Sequence, residues 1–151
     1  MPGNERHTQE APAVDLSVIR QFSAEIPFQK AIGTRIDLLE RGRCRLSLPW
    51  KEELVGNPIT GVVHGGVITT LLDSASGMSV FSIITKVMQI ATLDLRIDYL
   101  RPAAPHRDIC AEAECYRLSR SVAFVRGRAY QDSGEEIASS LATFMLESSA
   151  L

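Results

Sequence analysis

Asp73 is the only charged residue between Gly65 and Thr85, in a stretch made of apolar and small residues. A carboxylate on an apolar helix must be paired, hydrogen-bonded or protonated. No Lys or Arg lies within one helical turn of it. We therefore interpret Asp73 as a functional acid in a cleft, with a structural Asp bonded to a neighbouring hydroxyl as the alternative.

The same stretch begins with His64, Gly65 and Gly66. The first turn of a helix has backbone N–H groups without intrahelical partners, and the helix dipole is positive there. Glycines do not shield these groups, so such a site can hold a phosphate or polarise a carbonyl as an oxyanion hole. The alternative is that the two glycines only allow close packing where the helix begins.

The spacing between His64 and Asp73 restricts how they can act together. Nine residues of an α-helix make about two and a half turns, so His64 and Asp73 lie half a turn apart around the helix, with a rise of about 13 Å between them. The two ends therefore cannot meet over one substrate atom within one chain. A two-fold dimer with antiparallel helices would place each Asp73 near the other chain's Gly65, and residues 74–77, which are Ser, Ala, Ser and Gly, would allow close approach.

Two helices are predicted. Apolar residues at spacings of three and four predict an amphipathic helix over residues 14–26, starting near Asp15 or Ser17 and ending at Pro27, where a second short turn could begin. The second helix runs from about Gly65 to about Lys86. Its length could span a bilayer, but seven Ser and Thr residues and a central acid favour a buried helix in a soluble protein.

The remaining segments are typical of strands. Residues 34–50 read as two strands around Arg41 and Gly42, and three more strands are predicted at 108–119, 121–132 and 136–148, with a turn at 132–134. Residues 90–103 alternate, with Leu93, Leu95, Ile97 and Tyr99 on one face and Asp94, Arg96 and Asp98 on the other. Short connections favour an antiparallel sheet, so we expect a single α+β domain over 14–151 built around the long helix, after a disordered leader at 1–13.

Composition excludes several functional classes. The formal net charge is −2 and no basic run occurs, which argues against nucleic acid or a membrane surface as a partner. Three scattered cysteines and three distant histidines argue against a metal site, and free thiols indicate a reducing cytoplasm. There is no secretory signal, G-x-S-x-G elbow, P-loop or HExxH motif.

The stretch GNPITGVVHGGVITTLLDSASG, followed by ATLDLRIDYLRPA and LATFML, resembles the hotdog-fold acyl-CoA thioesterases of the phenylacetate-pathway (PaaI-like) type, in the 4-hydroxybenzoyl-CoA thioesterase superfamily. The resemblance covers about residues 25–147. It implies an antiparallel sheet wrapped around a long helix, a homodimer or dimer of dimers with sites at the subunit interface, and no cofactor, because coenzyme A is part of the substrate.

The resemblance also implies residue roles. Asp73 would activate water as a general base or attack the thioester as a nucleophile, and the Gly65 N–H would polarise the carbonyl. Asn57 would assist at that carbonyl, His64 would lie near the leaving sulfur or the Asn loop, and Thr92 would help to hold the water. Residues expected to contact coenzyme A are Arg101, Arg120 and Ser121.

Two other functions stay open at this point. One is a hotdog-fold dehydratase or hydratase, which the spacing from HGG to Asp73 does not suit. The other is a non-catalytic acyl-CoA binding module, in which Asp73 would be an unexplained buried charge. The acyl group itself is not specified: Leu54, Val63, Met78 and Phe81 are candidates to line its pocket, with core packing as the alternative.

Overall fold

The computed structural model describes residues 14–85, 88–132 and 134–148. The predicted leader at 1–13 lies outside these residues. The helices are α1 (Leu16–Glu25), α2 (Pro27–Ile32) and α3 (Gly65–Phe81), with a short 3-10 helix at Glu52–Leu54. The strands are β1 (Arg35–Glu40), β2 (Arg43–Leu48), β3 (Met88–Tyr99), β4 (Ile109–Leu118), β5 (Val122–Gln131) and β6 (Glu135–Ser148).

The strands form one antiparallel sheet in the order β1-β2-β4-β5-β6-β3. The predicted α+β architecture is therefore confirmed. Strand β3 follows α3 in sequence but pairs only with β6, at the edge of the sheet. Among the described residues, no strand covers the other side of β3. This open edge is twelve residues long, which is long for an unprotected edge.

Helix α3 packs on the inner face of the sheet and forms the core with it. Leu71, Leu72 and Ala75 have no accessible surface, and they meet small inward residues of the sheet such as Ala111 and Ala129. Small residues on the strands let a helix approach the sheet closely, so the apolar side of α3 is fully covered. No helix in the part of the chain that the structure describes is long and apolar enough to cross a membrane.

The helix start at Gly65 is confirmed, but α3 ends at Phe81, earlier than the expected end near Lys86, which lies outside the described residues. Ser82 closes the helix: its hydroxyl donates to Ser79 O at 2.7 Å and accepts from the Gly42 N–H at 2.8 Å. This tie to the β1–β2 turn fixes the end of the helix. Two isoleucines and a threonine follow, and β-branched residues do not favour helix continuation.

The smaller elements follow their sequence signals. Asp15 caps α1 by accepting from the Ser17 N–H at 2.8 Å, and α2 begins at Pro27. Strands β5 and β6 pair through Gln131 and Glu135, so they form the predicted hairpin, although Ser133 in its turn lies outside the described residues. His106 is exposed in the β3–β4 loop.

Candidate active site

His64 caps α3 and determines which backbone donors are available there. Its Nδ1 accepts from the Gly66 N–H at 2.9 Å, and its carbonyl oxygen accepts from the Val67 N–H at 2.9 Å. The Gly65 N–H has no acceptor among the described residues. Of the first three donors of the helix, Gly65 is thus the one open to a ligand oxygen, and the helix dipole adds positive potential at this point.

Tyr99, at the end of β3, lies against Gly65. Its hydroxyl donates to the Gly65 carbonyl oxygen at 3.0 Å and lies 2.6 Å from Thr69 Oγ1. The ring is close enough that a Cβ on Gly65 would be 3.4 Å from it. Sequence reasoning placed Tyr99 on the apolar face of its strand but gave it no role in the site, because that role depends on where the strand ends relative to α3.

The loop that carries Asn57 is joined to the same helix start. Asn57 Oδ1 accepts from the Ile59 and Thr60 N–H groups at 2.9 and 3.3 Å. The side-chain oxygen therefore holds its own loop, and the amide NH2 is the part that a ligand can use. A Cβ on Gly56 would be 2.7 Å from His64 Cα, so the glycine is needed for this close contact.

Asp73 is half-buried on α3 and bonded to β3. The Thr92 hydroxyl donates to Asp73 Oδ1 at 2.9 Å, and Oδ2 has no hydrogen-bond partner within the residues described. Thr92 and Asp73, which the resemblance gave separate roles, are therefore in direct contact. This arrangement leaves one carboxylate oxygen held and the other available for chemistry.

A β-bulge explains how Thr92 reaches the helix. Thr92 pairs with Phe144 and Asp94 pairs with Thr143, so Leu93 is an extra residue between them. The prediction that Leu93 shares a face with Leu95 is wrong: Leu93 is 58% exposed. The extra residue reverses the alternation before it, so that Thr92 points to the helix side of the sheet.

Gly65 and Asp73 stay apart within the chain. Eight residues separate them on one straight helix, which is a rise of about 12 Å. Strand β3 runs alongside in the opposite direction, with Tyr99 at Gly65 and Thr92 at Asp73. One chain thus contains two half-sites, each formed by one residue of α3 and one of β3.

The residues expected to contact coenzyme A are divided in the same way. Arg101 follows Tyr99 and forms an ion pair of 2.7 Å with Glu135. Arg120 and Ser121 form the β4–β5 turn at the other end of the sheet, where the Ser121 carbonyl oxygen accepts from the Leu146 N–H at 2.8 Å. These two positions on β6, residues 135 and 146, are more than 30 Å apart at about 3.4 Å per residue, so one chain does not bring Arg101 and Ser121 together.

Other nucleophiles do not compete with Asp73 in the described structure. The three cysteines are free, and burial raises the pKa of Cys44 to about 12, so its thiol stays protonated at neutral pH. Burial also raises the pKa of Cys110 and Cys115. In residues 14–85, 88–132 and 134–148, no group of three His, Cys, Asp or Glu side chains is placed to hold a metal ion.

Comparison with known proteins gives consistent matches. A family model described as Thioesterase superfamily matches residues 60–138. A protein of Salmonella typhimurium named medium/long-chain acyl-CoA thioesterase YigI is 31% identical over 138 residues, which cover 83% of this chain and 88% of that protein.

Solved structures agree with this. A thioesterase family protein from Silicibacter pomeroyi is similar with a TM-score of 0.81 and 29% identity, over 89% of this chain and 100% of that one. A mutant of the phenylacetic acid degradation protein PaaI from Thermus thermophilus is similar with a TM-score of 0.71 and 25% identity, over 80% and 98% of the two chains.

Proposed function

Since the chain belongs to the thioesterase superfamily and is a thioester hydrolase, we propose that its substrates are acyl-CoA thioesters. The family and the hotdog fold expected from the HGG motif and the following strand are confirmed. The name of the Salmonella typhimurium relative, an acyl-CoA thioesterase, supports the choice of coenzyme A as the thiol part of the substrate.

The complete site in this proposal consists of two half-sites from two chains. The observation that carries it is the position of β3, which lies with Tyr99 at Gly65 and with Thr92 at Asp73. A second copy related by a two-fold axis runs in the opposite direction, so its Asp73 end lies at the Gly65 end of the first chain. The half-turn between His64 and Asp73 supports the same arrangement, because the two ends cannot meet over one substrate atom within one chain.

The open edge of β3 supports a second copy as the partner. Antiparallel pairing of two β3 strands about Leu95 would place Asp94 of each chain opposite Arg96 of the partner subunit, and opposite charges across a strand pair are favourable. Pairing about Arg96 would instead place two guanidinium groups opposite each other. The charge pattern of β3 therefore favours the register about Leu95 over the one about Arg96, and pairing also covers the unpaired backbone groups of the edge.

The chemistry follows from the groups left available. The thioester carbonyl oxygen accepts from the Gly65 N–H, which stabilises the negative charge that develops on it. Oδ2 of the partner's Asp73 takes a proton from water as the water oxygen bonds to the carbonyl carbon. The C–S bond then breaks, and the proton passes to the leaving thiolate, which gives the free acid and coenzyme A.

The alternative is that the Asp73 carboxylate itself attacks the thioester carbonyl. The two mechanisms can be separated by where oxygen from water is found after the first turnover. In oxygen-18 water, general-base catalysis places the label in the released acid. If Asp73 forms an anhydride with the acyl group and water attacks the Asp73 carbonyl carbon, the label enters the Asp73 carboxylate and the first acid released is unlabelled. Mass spectrometry of the peptide that contains Asp73, after a single turnover, detects this route as oxygen-18 in Asp73.

In the proposed dimer, the residues expected to contact coenzyme A lie close together across the subunit interface. Arg101 lies at the Gly65 end of one chain, and Arg120 and Ser121 lie at the Asp73 end of the other. Together they would present two guanidinium groups and a hydroxyl to the phosphates of coenzyme A, which are anions that arginine binds well.

The test of the function is thiol release from a panel of acyl-CoA substrates by the wild-type protein and the Asp73→Asn variant. We expect Asp73→Asn to lower kcat by about a thousandfold while the protein stays folded and dimeric. Asp132→Asn, which changes an exposed carboxylate in the β5–β6 turn, is the matched control and should keep full activity. A folded, fully active Asp73→Asn variant, or tight binding of acyl-CoA without thiol release by the wild type, would overturn the proposal.

A further inference from the structure

A cleft of about 350 Å³ lies between α2, the 3-10 helix and the first turns of α3. Its walls are mainly apolar and include Phe28, Ile32, Leu54 and Val67. His64 also lines it, so the cleft begins at the helix cap. Leu54 was one of the four residues considered for an acyl pocket. Of the other three, Met78 lies in the core, Phe81 packs on Phe22, and Val63 lines a different cavity.

The Phe28 side chain is more exposed to solvent than the other apolar side chains that line the cleft. The side chain is 58% exposed although it stands on the wall of a cleft whose other apolar residues are half-buried. A large aromatic surface that stays in contact with water is unfavourable, and a group of such residues marks a binding site. Something apolar that enters the cleft would cover Phe28 and Val67 together.

The cleft is also next to the proposed reacting group. Gly66 and His64 line it, and Gly65, which lies between them in sequence, lines the neighbouring cavity together with Val63. An acyl group whose carbonyl oxygen accepts from the Gly65 N–H is therefore held at a residue whose two neighbours in sequence form part of the cleft wall. Resting on the proposed function, we propose that this cleft binds the acyl chain of the substrate, with Phe28 and Val67 determining chain length.

The size and charge of the cleft define the class of acyl group. A volume of about 350 Å³ lies at the small end of the range of ligand pockets, about 300–1,000 Å³, which suits an acyl chain of moderate length. Glu53 is the charged residue among those that line the cleft. Its carboxylate would repel a second carboxylate at the far end of the chain. The cleft therefore fits a neutral aliphatic chain better than a dicarboxylic one.

The test compares decanoyl-CoA with butyryl-CoA in the full-length dimer. Val67→Phe fills the cleft, and we expect it to lower the ratio of kcat/KM for decanoyl-CoA to that for butyryl-CoA by about tenfold or more, because one methylene in an apolar pocket is worth about 10- to 200-fold. Phe28→Ala removes one wall and should lower the same ratio in the same direction. Glu53→Gln should raise hydrolysis of a thioester of a dicarboxylic acid relative to decanoyl-CoA.

Phe22→Ala is the matched control. Phe22 is 57% exposed on α1 and packs on Phe81, but it does not line the cleft. We expect its substitution to leave the ratio unchanged. Size-exclusion chromatography with light scattering shows whether each variant keeps the oligomeric state of the wild type, which separates loss of a substrate contact from loss of a subunit contact.

The possible outcomes separate this inference from the function on which it rests. If the wild type hydrolyses acyl-CoA and neither Val67→Phe nor Phe28→Ala changes the chain-length ratio, the acyl chain binds elsewhere and only the inference is overturned. The same holds if Phe28→Ala changes the oligomeric state without changing the ratio, since Phe28 is then covered by a subunit. If the wild type hydrolyses no acyl-CoA, the proposed function itself fails.

Discussion

The Thr92 hydroxyl donates a hydrogen bond of 2.9 Å to Asp73 Oδ1 and leaves Oδ2 without a partner among the described residues. The donor stands on an edge strand, and the acceptor is a half-buried acid on the central helix. One oxygen of the carboxylate is thus fixed in direction, and the other points to where a water molecule can bind. The bond orients the acid that the proposed mechanism uses.

Thr92 should therefore affect turnover more than binding. We expect Thr92→Val to lower kcat by about tenfold to a hundredfold with little change in KM, because a hydrogen bond to a charged group contributes about 1.5–3 kcal/mol. Thr92→Ser keeps the hydroxyl and should recover most of the activity. Steady-state kinetics of the three proteins checks this. If Thr92→Val and Thr92→Ser lower kcat equally, and both lower the melting temperature to a similar extent, Thr92 acts only through packing.

Tyr99 should position the Gly65 peptide. We expect Tyr99→Phe to lower kcat by about tenfold, because the ring stays in place but the hydroxyl that bonds to the Gly65 carbonyl oxygen is lost. Tyr116→Phe, at an exposed tyrosine in β4, is the matched control. An unchanged kcat in Tyr99→Phe, at full stability, would remove Tyr99 from the site.

His64 should contribute to stability as a helix cap. We expect His64→Ala to lower the free energy of unfolding by about 1 kcal/mol, since the Gly66 N–H loses its acceptor. His64→Asn should lower it less, because an Asn oxygen at the same position can accept that bond. Urea unfolding of the three proteins measures both effects. A His64→Asn variant as unstable as His64→Ala would show that the cap is not what stabilises the helix start.

The sequence predicted the elements that have strong local signals. The start of α3 at Gly65, a start of α1 near Asp15 or Ser17 and the order of elements along the chain followed from periodicity and turn residues. The single acid on an apolar helix also singles out Asp73 from local sequence, and its catalytic role stays a prediction. These features depend on neighbours within a few residues, so the sequence alone contains the information.

The features that the sequence did not predict depend on contacts between distant segments. The bulge at Leu93 has no glycine or proline to mark it, yet it decides that Thr92 faces the helix. The end of α3 at Phe81 depends on a bond between Ser82 and Gly42, forty residues away. The contact of Tyr99 with Gly65 likewise requires the position of β3 beside α3, which strand alternation does not give.

The two-chain site can be tested with a substitution that removes only the proposed carbonyl donor. Gly65 is the first residue of α3, where proline is favoured, and His64 has φ −62° and ψ 133°, which suit a residue before proline. Gly65→Pro should therefore keep the helix and lose the N–H, lowering kcat by about a hundredfold. Gly65→Ala, which keeps the N–H, is the matched control.

The most direct measurement is the activity of a mixed dimer, purified through a different tag on each chain, with Gly65→Pro in one chain and Asp73→Asn in the other. If each site takes Gly65 from one chain and Asp73 from its partner, one of the two sites in this dimer is intact. The account predicts about half of the wild-type activity per dimer, although both parent homodimers are nearly inactive. A mixed dimer as inactive as its parents would show that each site lies within one chain and would contradict the account.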